Sequence, residues 1–152
     1  MINKTLTGIL STFSPGEISG FTKFLNSPYF NKKEALILFW NELSKYHPDY
    51  QADKQVLYKN IYPGKSYNYG TMKNLVFELT IAAEEFIELE NYYQNQDSRN
   101  ENLLYALLIR NSNQLFRKRL KKISDRLDKN KGDYEYHRKK YRIDAINQKE
   151  RV

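Results

Sequence analysis

The chain of 152 residues contains no cysteine. A disulfide scaffold, a thiol nucleophile and any zinc site built on thiolates are therefore excluded. Histidine is nearly as scarce, with only His47 and His137. Proline and glycine number four and six and sit in the gaps between hydrophobic stretches, so little interrupts long helices. Long apolar runs are also missing. The longest, 35–40, falls far short of the roughly 20 residues a membrane span requires. Residues 1–20 do not read as a secretory leader, because 6–13 is broken by Thr7, Gly8, Ser11 and Thr12. A soluble, cytoplasmic protein without a membrane span is the expectation.

Hydrophobic residues make up 40% of the chain and aromatics 14%, too much for a disordered polymer. The length suits one domain, or one domain with a short extension, and a chain of this size buries roughly two-thirds of its unfolded surface. Two-residue alternation over a strand length is absent, whereas helical spacing recurs throughout.

The helix signals are specific. Ser14-Pro15-Gly16-Glu17 is a capping box with proline at the first helical position, followed by Ile18, Phe21 and Leu25. Asn31-Lys32-Lys33-Glu34 reads as a second opening, leading to Leu36, Phe39, Trp40 and Leu43 and stopping at His47-Pro48. Asp53 is a cap for a short helix over 54–61, and Asn68 for a long one over 69–94. In the long helix Met72, Leu75, Val76, Leu79, Ala82, Ala83, Phe86, Leu89 and Tyr93 keep an i, i+3, i+4, i+7 rhythm. Residues 95–100 read as a turn, and Ser98-Arg99-Asn100-Glu101 as a third capping box. A basic amphipathic helix over 114–129 follows, with Phe116, Leu120, Ile123 and Leu127 on one face and a glycine stop at Gly132. Asp133 is the expected cap of a last helix carrying Tyr134, Tyr141, Ile143 and Ala145, which reaches the chain end without a stop signal. The step of 35 residues from Ser98 to Asp133 is close to the tetratricopeptide period of 34, although the signature Trp, Gly and Pro positions are missing.

Charge divides the chain. Residues 1–98 carry 9 Lys+Arg and 11 Asp+Glu, while 99–152 carry 16 and 7. The basicity is densest over 110–131. Such clustering draws anionic partners, because it raises the local potential. In the basic helix Arg117, Lys118, Arg119, Lys121, Lys122, Arg126 and Lys129 are candidate contacts to nucleic-acid phosphates. The same pattern also suits a membrane surface, or a merely solvated face. A second candidate is a helix-turn-helix-like unit over 54–93, which would present Tyr67, Asn68, Thr71, Lys73 and Asn74 to base edges. Its turn of about six residues is longer than the usual three or four, and its long helix is acidic downstream.

Catalytic chemistry finds little footing. Gly64-Lys65-Ser66 copies the tail of a phosphate-binding loop, but Lys59 stands where the first glycine belongs and a helix precedes it where a strand is needed. Glu84, Glu85, Glu88 and Glu90 lack the Glu-x-x-His partner of a di-metal bundle and read as a solvated face. No catalytic residue, cofactor or metal site is assigned, and the chain reads as no enzyme.

Phe24-Leu25-Asn26-Ser27-Pro28-Tyr29-Phe30-Asn31, together with Tyr62-Pro63-Gly64-Lys65-Ser66-Tyr67-Asn68, resembles the opening region of a group of long, uncharacterised all-helical bacterial proteins. The resemblance spans roughly 10–95 and implies further helices after the chain end, with no function attached. Read from the residues, both segments are connectors, with Tyr29, Phe30, Tyr62 and Tyr67 expected to pin them to the core.

The expected architecture is all-α, a bundle of six or seven helices. Residues 1–97 would form an N-terminal bundle and 98–152 a basic helical extension, the start of a TPR-like solenoid cut from a longer protein. The leading functional expectation is a non-catalytic interaction or scaffold module. Its partner would be another protein or the rest of its own longer chain. The alternative is nucleic-acid binding through 114–129.

Overall fold

Side-chain caps set where most of the helices begin, and they can be followed along the chain in a computed structural model that describes residues 1–150. Helix α1, Lys4–Ser11, starts where the Asn3 carboxamide accepts the Leu6 amide proton. Helix α2, Pro15–Asn26, carries the full Ser14/Glu17 capping box. Helix α3, Glu34–Leu43, has no side-chain cap and passes into a 3₁₀ turn, Ser44–Tyr46, before the cis His47–Pro48 bond. Asp53 caps α4, Lys54–Ile61, and Asn68 caps α5, Tyr69–Gln94. Helices α6, Gln96–Ile109, α7, Asn113–Asp128, and α8, Tyr136–Glu150, complete the order. No strand occurs among the described residues.

The fold is all-α, with eight α-helices among the described residues rather than six or seven. The added one is α1. Its polar Thr7 and Ser11 hide the short apolar pair Leu6 and Leu10, both fully buried. Asn31 does not open α3. Its amide donates to the carbonyls of Leu25 and Lys33, and its carbonyl oxygen accepts from the Lys33 amide, which clamps the connector. Residues 96–100 are helical, and Asn95 rather than Ser98 is the cap, accepting from the Ser98 amide. Asp133 accepts from the Glu135 amide, but α8 begins at Tyr136. Helix starts at Gln96 and Tyr136 lie 40 residues apart, so the 35-residue spacing is not kept. Gly132 is not in a left-handed conformation. The glycine that is, Gly64 at φ 79°, turns the chain between α4 and α5. The expectation that the last helix reaches the chain end concerns residues past Glu150, outside the described ones.

The chain divides into two compact units, Met1–Leu89 and Glu90–Val152. The division falls inside α5 and not at the polar stretch after residue 97.

The first unit is built on aromatics. Phe21 packs edge-on against Trp40 at 5.0 Å between ring centres and lies 5.5 Å from both Phe13 and Phe86. Such pairs add about 0.5–1.5 kcal/mol each beyond the area they bury. The Trp40 indole N–H donates to the Thr22 hydroxyl at 2.8 Å, which removes the cost of burying it. Gly20 interrupts α2 for a reason. A Cβ there would meet the Phe86 ring at 3.1 Å, so the missing side chain lets the ring lie against the backbone. Not every expected anchor is inward. Tyr62 and Tyr67 pack against the core, but Tyr29 is 88% exposed, and Phe30 covers Phe24 at 4.7 Å while staying partly exposed.

In the second unit α6, α7 and α8 pack pairwise on one another. Their buried side chains are Leu104, Phe116, Ile123, Ile143 and Ile146. Tyr134, Tyr141 and Ala145 of the expected α8 stripe are exposed, and Ile146 takes the buried position beside Ile143.

Candidate functional site

Helix α7 carries six of the seven cations singled out from the sequence, the seventh, Lys129, caps its C-terminal end, and the structure leaves all seven exposed. Its geometry follows from helical spacing. Phe116, Leu120, Ile123 and Leu127 form one stripe that packs into the unit's own core. The cations then fall on two flanks of that stripe, which differ in what they meet.

On one flank, charges are answered. Arg117 pairs with Glu150 of α8 at 3.0 Å, and the Glu150 side chain is only 7% exposed. Lys121 pairs with Asp125 one turn on, and that hydrogen bond raises the pKa of the lysine. Asp128 accepts a hydrogen bond from the Tyr136 hydroxyl at 2.8 Å, the main cause of its lowered carboxyl pKa, and also approaches Lys140.

On the other flank, Arg119, Lys122 and Arg126 stand at i, i+3 and i+7 along one row. Among the described residues no carboxylate lies within ion-pairing distance of any of the three. With Ile123 they line a shallow groove of about 240 Å³ whose opposite wall is Gln96 and Asn100 of α6. The two nearest acids of α6 are engaged by α8: Asp97 with Lys139 at 3.2 Å, and Glu101 with Arg142 at 2.7 Å. Lys118 and Lys129 are exposed without an acidic partner among the described residues. The structure thus gathers Arg119, Lys122 and Arg126 into one groove and places Arg117 and Lys121 apart from it. Gln96 and Asn100 escaped sequence reasoning because 95–100 looked like a turn. The available signal was Asn95, a second cap candidate three residues before Ser98.

The first unit offers a different surface. Phe77 and Ile81 of α5 are 65% and 41% exposed, and with Phe30, Leu36 and Ala82 they line an apolar groove of about 550 Å³. Lys33 and Glu78 form an ion pair at its rim at 2.8 Å. Neither residue of the groove's apolar floor on α5 was read from sequence as surface; Phe77 and Ile81 fall outside the core rhythm of α5, which is the signal they carry.

The remaining sequence candidates are placed as follows. In the 54–93 region α4 packs on α3, and the Asn68 side chain is occupied by its cap to the Thr71 amide. Lys73 and Asn74 are exposed. Gly64-Lys65-Ser66 forms the turn between α4 and α5, with the Lys65 amide bonded to the Tyr62 carbonyl. His47 packs edge-on to Tyr50 and His137 to Tyr136. Among the described residues no cluster of three or more His, Asp or Glu can hold a metal ion, and no helix is long and apolar enough to cross a membrane. Compared with known proteins, the chain matches no family model, and no curated protein and no solved structure matches it.

Proposed function

We propose that this protein is a non-catalytic helical interaction module that docks an apolar segment of a protein partner. One observation carries the reading: Phe30, Phe77 and Ile81 stand exposed side by side over the buried Leu36 and the half-buried Ala82, so that three large apolar side chains share one groove in water. Exposed apolar surface of this kind marks interaction sites, and a groove beside a long helix suits an amphipathic helix laid into it. A phage-displayed library of helical peptides tests it. Enrichment of peptides with apolar residues at i, i+3 or i+4, abolished in F77E/I81E with helix content unchanged by circular dichroism, is the expected outcome. Enrichment that survives F77E/I81E, or none above an unrelated bundle, contradicts it.

A second reading, nucleic-acid binding by α7, is favoured by a separate observation, the unanswered cationic flank of Arg119, Lys122 and Arg126. The apolar stripe of α7 is spent inside the second unit's core, so inserting it into a lipid surface would require unfolding that unit. This weighs for a phosphate partner over a membrane.

A further inference from the structure

We infer that the groove between α6 and α7 is a phosphodiester-backbone site, and that it reads no sequence. This rests on the second reading above and narrows it from a helix to a cleft. Three features carry it.

The first is unspent charge. A cation already paired to a carboxylate gains little from a phosphate. Among the described residues Arg119, Lys122 and Arg126 have no such partner, and no carboxylate lines the groove. The acids of α7 are directed elsewhere, Asp125 to Lys121 and Asp128 to Tyr136 and Lys140.

The second is spacing. Residues at i, i+3 and i+7 lie about 4.5 and 6 Å apart along a helix axis. Flexible side chains at those steps can reach successive phosphates of one strand, which rise about 3.4 Å per nucleotide in a duplex and lie farther apart along the backbone.

The third is the chemistry of the walls. Two guanidinium groups offer planar forks that match phosphate oxygens, and an ammonium adds a point charge between them. The Gln96 amide is close enough to bond the Asn100 carbonyl at 2.9 Å, so the opposite wall is polar, uncharged and ordered. Among the described residues no aromatic side chain lines the groove, so it offers no platform on which a base could stack. The backbone is what remains to be held, and duplex should bind at least as well as single strand.

Fluorescence anisotropy with labelled 20-residue duplex DNA, single-stranded DNA and RNA tests this on the full chain, from about 50 to 200 mM salt. R119E/K122E/R126E is compared with K118E/K121E/K131E, which makes the same change in net charge outside the groove. R119Q/K122Q/R126Q is a gentler second variant, and circular dichroism confirms that each is folded. Expected is sequence-independent binding at low salt. Both groove variants should weaken it more than tenfold and reduce the duplex salt slope by about 2.7, three phosphate contacts at about 0.9 each. The outside variant should weaken it two- to threefold. Equal losses from the two triple reversals would overturn the groove but leave α7 as a nucleic-acid surface. No binding to any polynucleotide at low salt would overturn both. Equal affinity for poly-glutamate or for phosphatidylglycerol vesicles would overturn the phosphodiester assignment in favour of charge alone.

Discussion

The two units solve the same problem with different materials. Residues 1–89 bury 22 hydrophobic side chains in one cluster, many of them aromatic, whereas the described part of 90–152 buries five. The second unit compensates with polar staples between its helices: Arg117–Glu150, Arg142–Glu101, Lys139–Asp97, Lys140–Asp128 and the Tyr136–Asp128 hydrogen bond. Hydrophobic burial is not screened by salt and contributes about 25 cal/mol per Å². Exposed ion pairs contribute about 0–1 kcal/mol each and fade with salt. One unit is thus a stable body carrying an apolar groove, and the other a thinner body organised around charge.

The largest effect should come from truncating one core aromatic in each unit. Trp40→Ala removes a residue buried to 1% and should cost about 3–5 kcal/mol. Phe116→Ala should cost a similar amount, but from a unit with far less to lose. Trp40 is the chain's single tryptophan and lies in the first unit, so its fluorescence reports that unit alone. F116A should therefore split the circular-dichroism melt while leaving the fluorescence transition in place. One shared transition in F116A would show the units to be a single cooperative body.

A smaller effect is expected at Arg142. Its partner Glu101 is 16% exposed, so Arg142→Gln should cost about 1 kcal/mol in the second unit, less in high salt. Lys33→Gln, which breaks an ion pair exposed on both sides, should cost less than about 0.5 kcal/mol. Denaturant melts at two salt concentrations read both, and a salt-independent R142Q penalty would mean lost packing rather than lost charge.

The smallest is a pH effect at Asp128. The Tyr136 hydroxyl lowers its carboxyl pKa in the folded state. A depressed acid contributes stability above its unfolded pKa, about 3.9, and loses it as pH falls through the lower folded value. The Tyr136 pKa is raised by the same hydrogen bond, so that contribution holds below about 10 and is lost above. Tyr136→Phe should thus lower stability by a constant amount between these limits, and the difference from the native protein should shrink at about pH 3. A penalty unchanged in acid would place the role of Tyr136 in packing.

Local chemistry is what the sequence made legible. The Ser14 capping box, the Asp53 and Asn68 caps and the rhythm of α5 from Met72 to Leu89 are each decided within a few residues, and each stands in the structure, whereas Tyr93, the last residue of that rhythm, is 60% exposed. What escaped depends on distant partners. Helix α1 is too short to stand on propensity and its Asn3 cap alone, and burial of Leu6 and Leu10 fixes it. Ile146 replaced Tyr141 and Ala145 because the packing of α6 and α7 selects which α8 face is covered. The seven cations of 114–129 are visible in the sequence as a set. That they divide into answered and unanswered flanks depends on Glu150, 33 residues from Arg117, and on Gln96 and Asn100 across the groove.

Residue-resolved amide hydrogen exchange at two salt concentrations tests the contrast most directly. The account predicts that core amides of α2, α3 and α5 up to Leu89 exchange only through the highest-energy opening, unaffected by salt, while α6, α7 and α8 open at lower free energy and lose further protection as salt rises. Equal protection in the two units, or α6–α8 protection indifferent to salt, would contradict it.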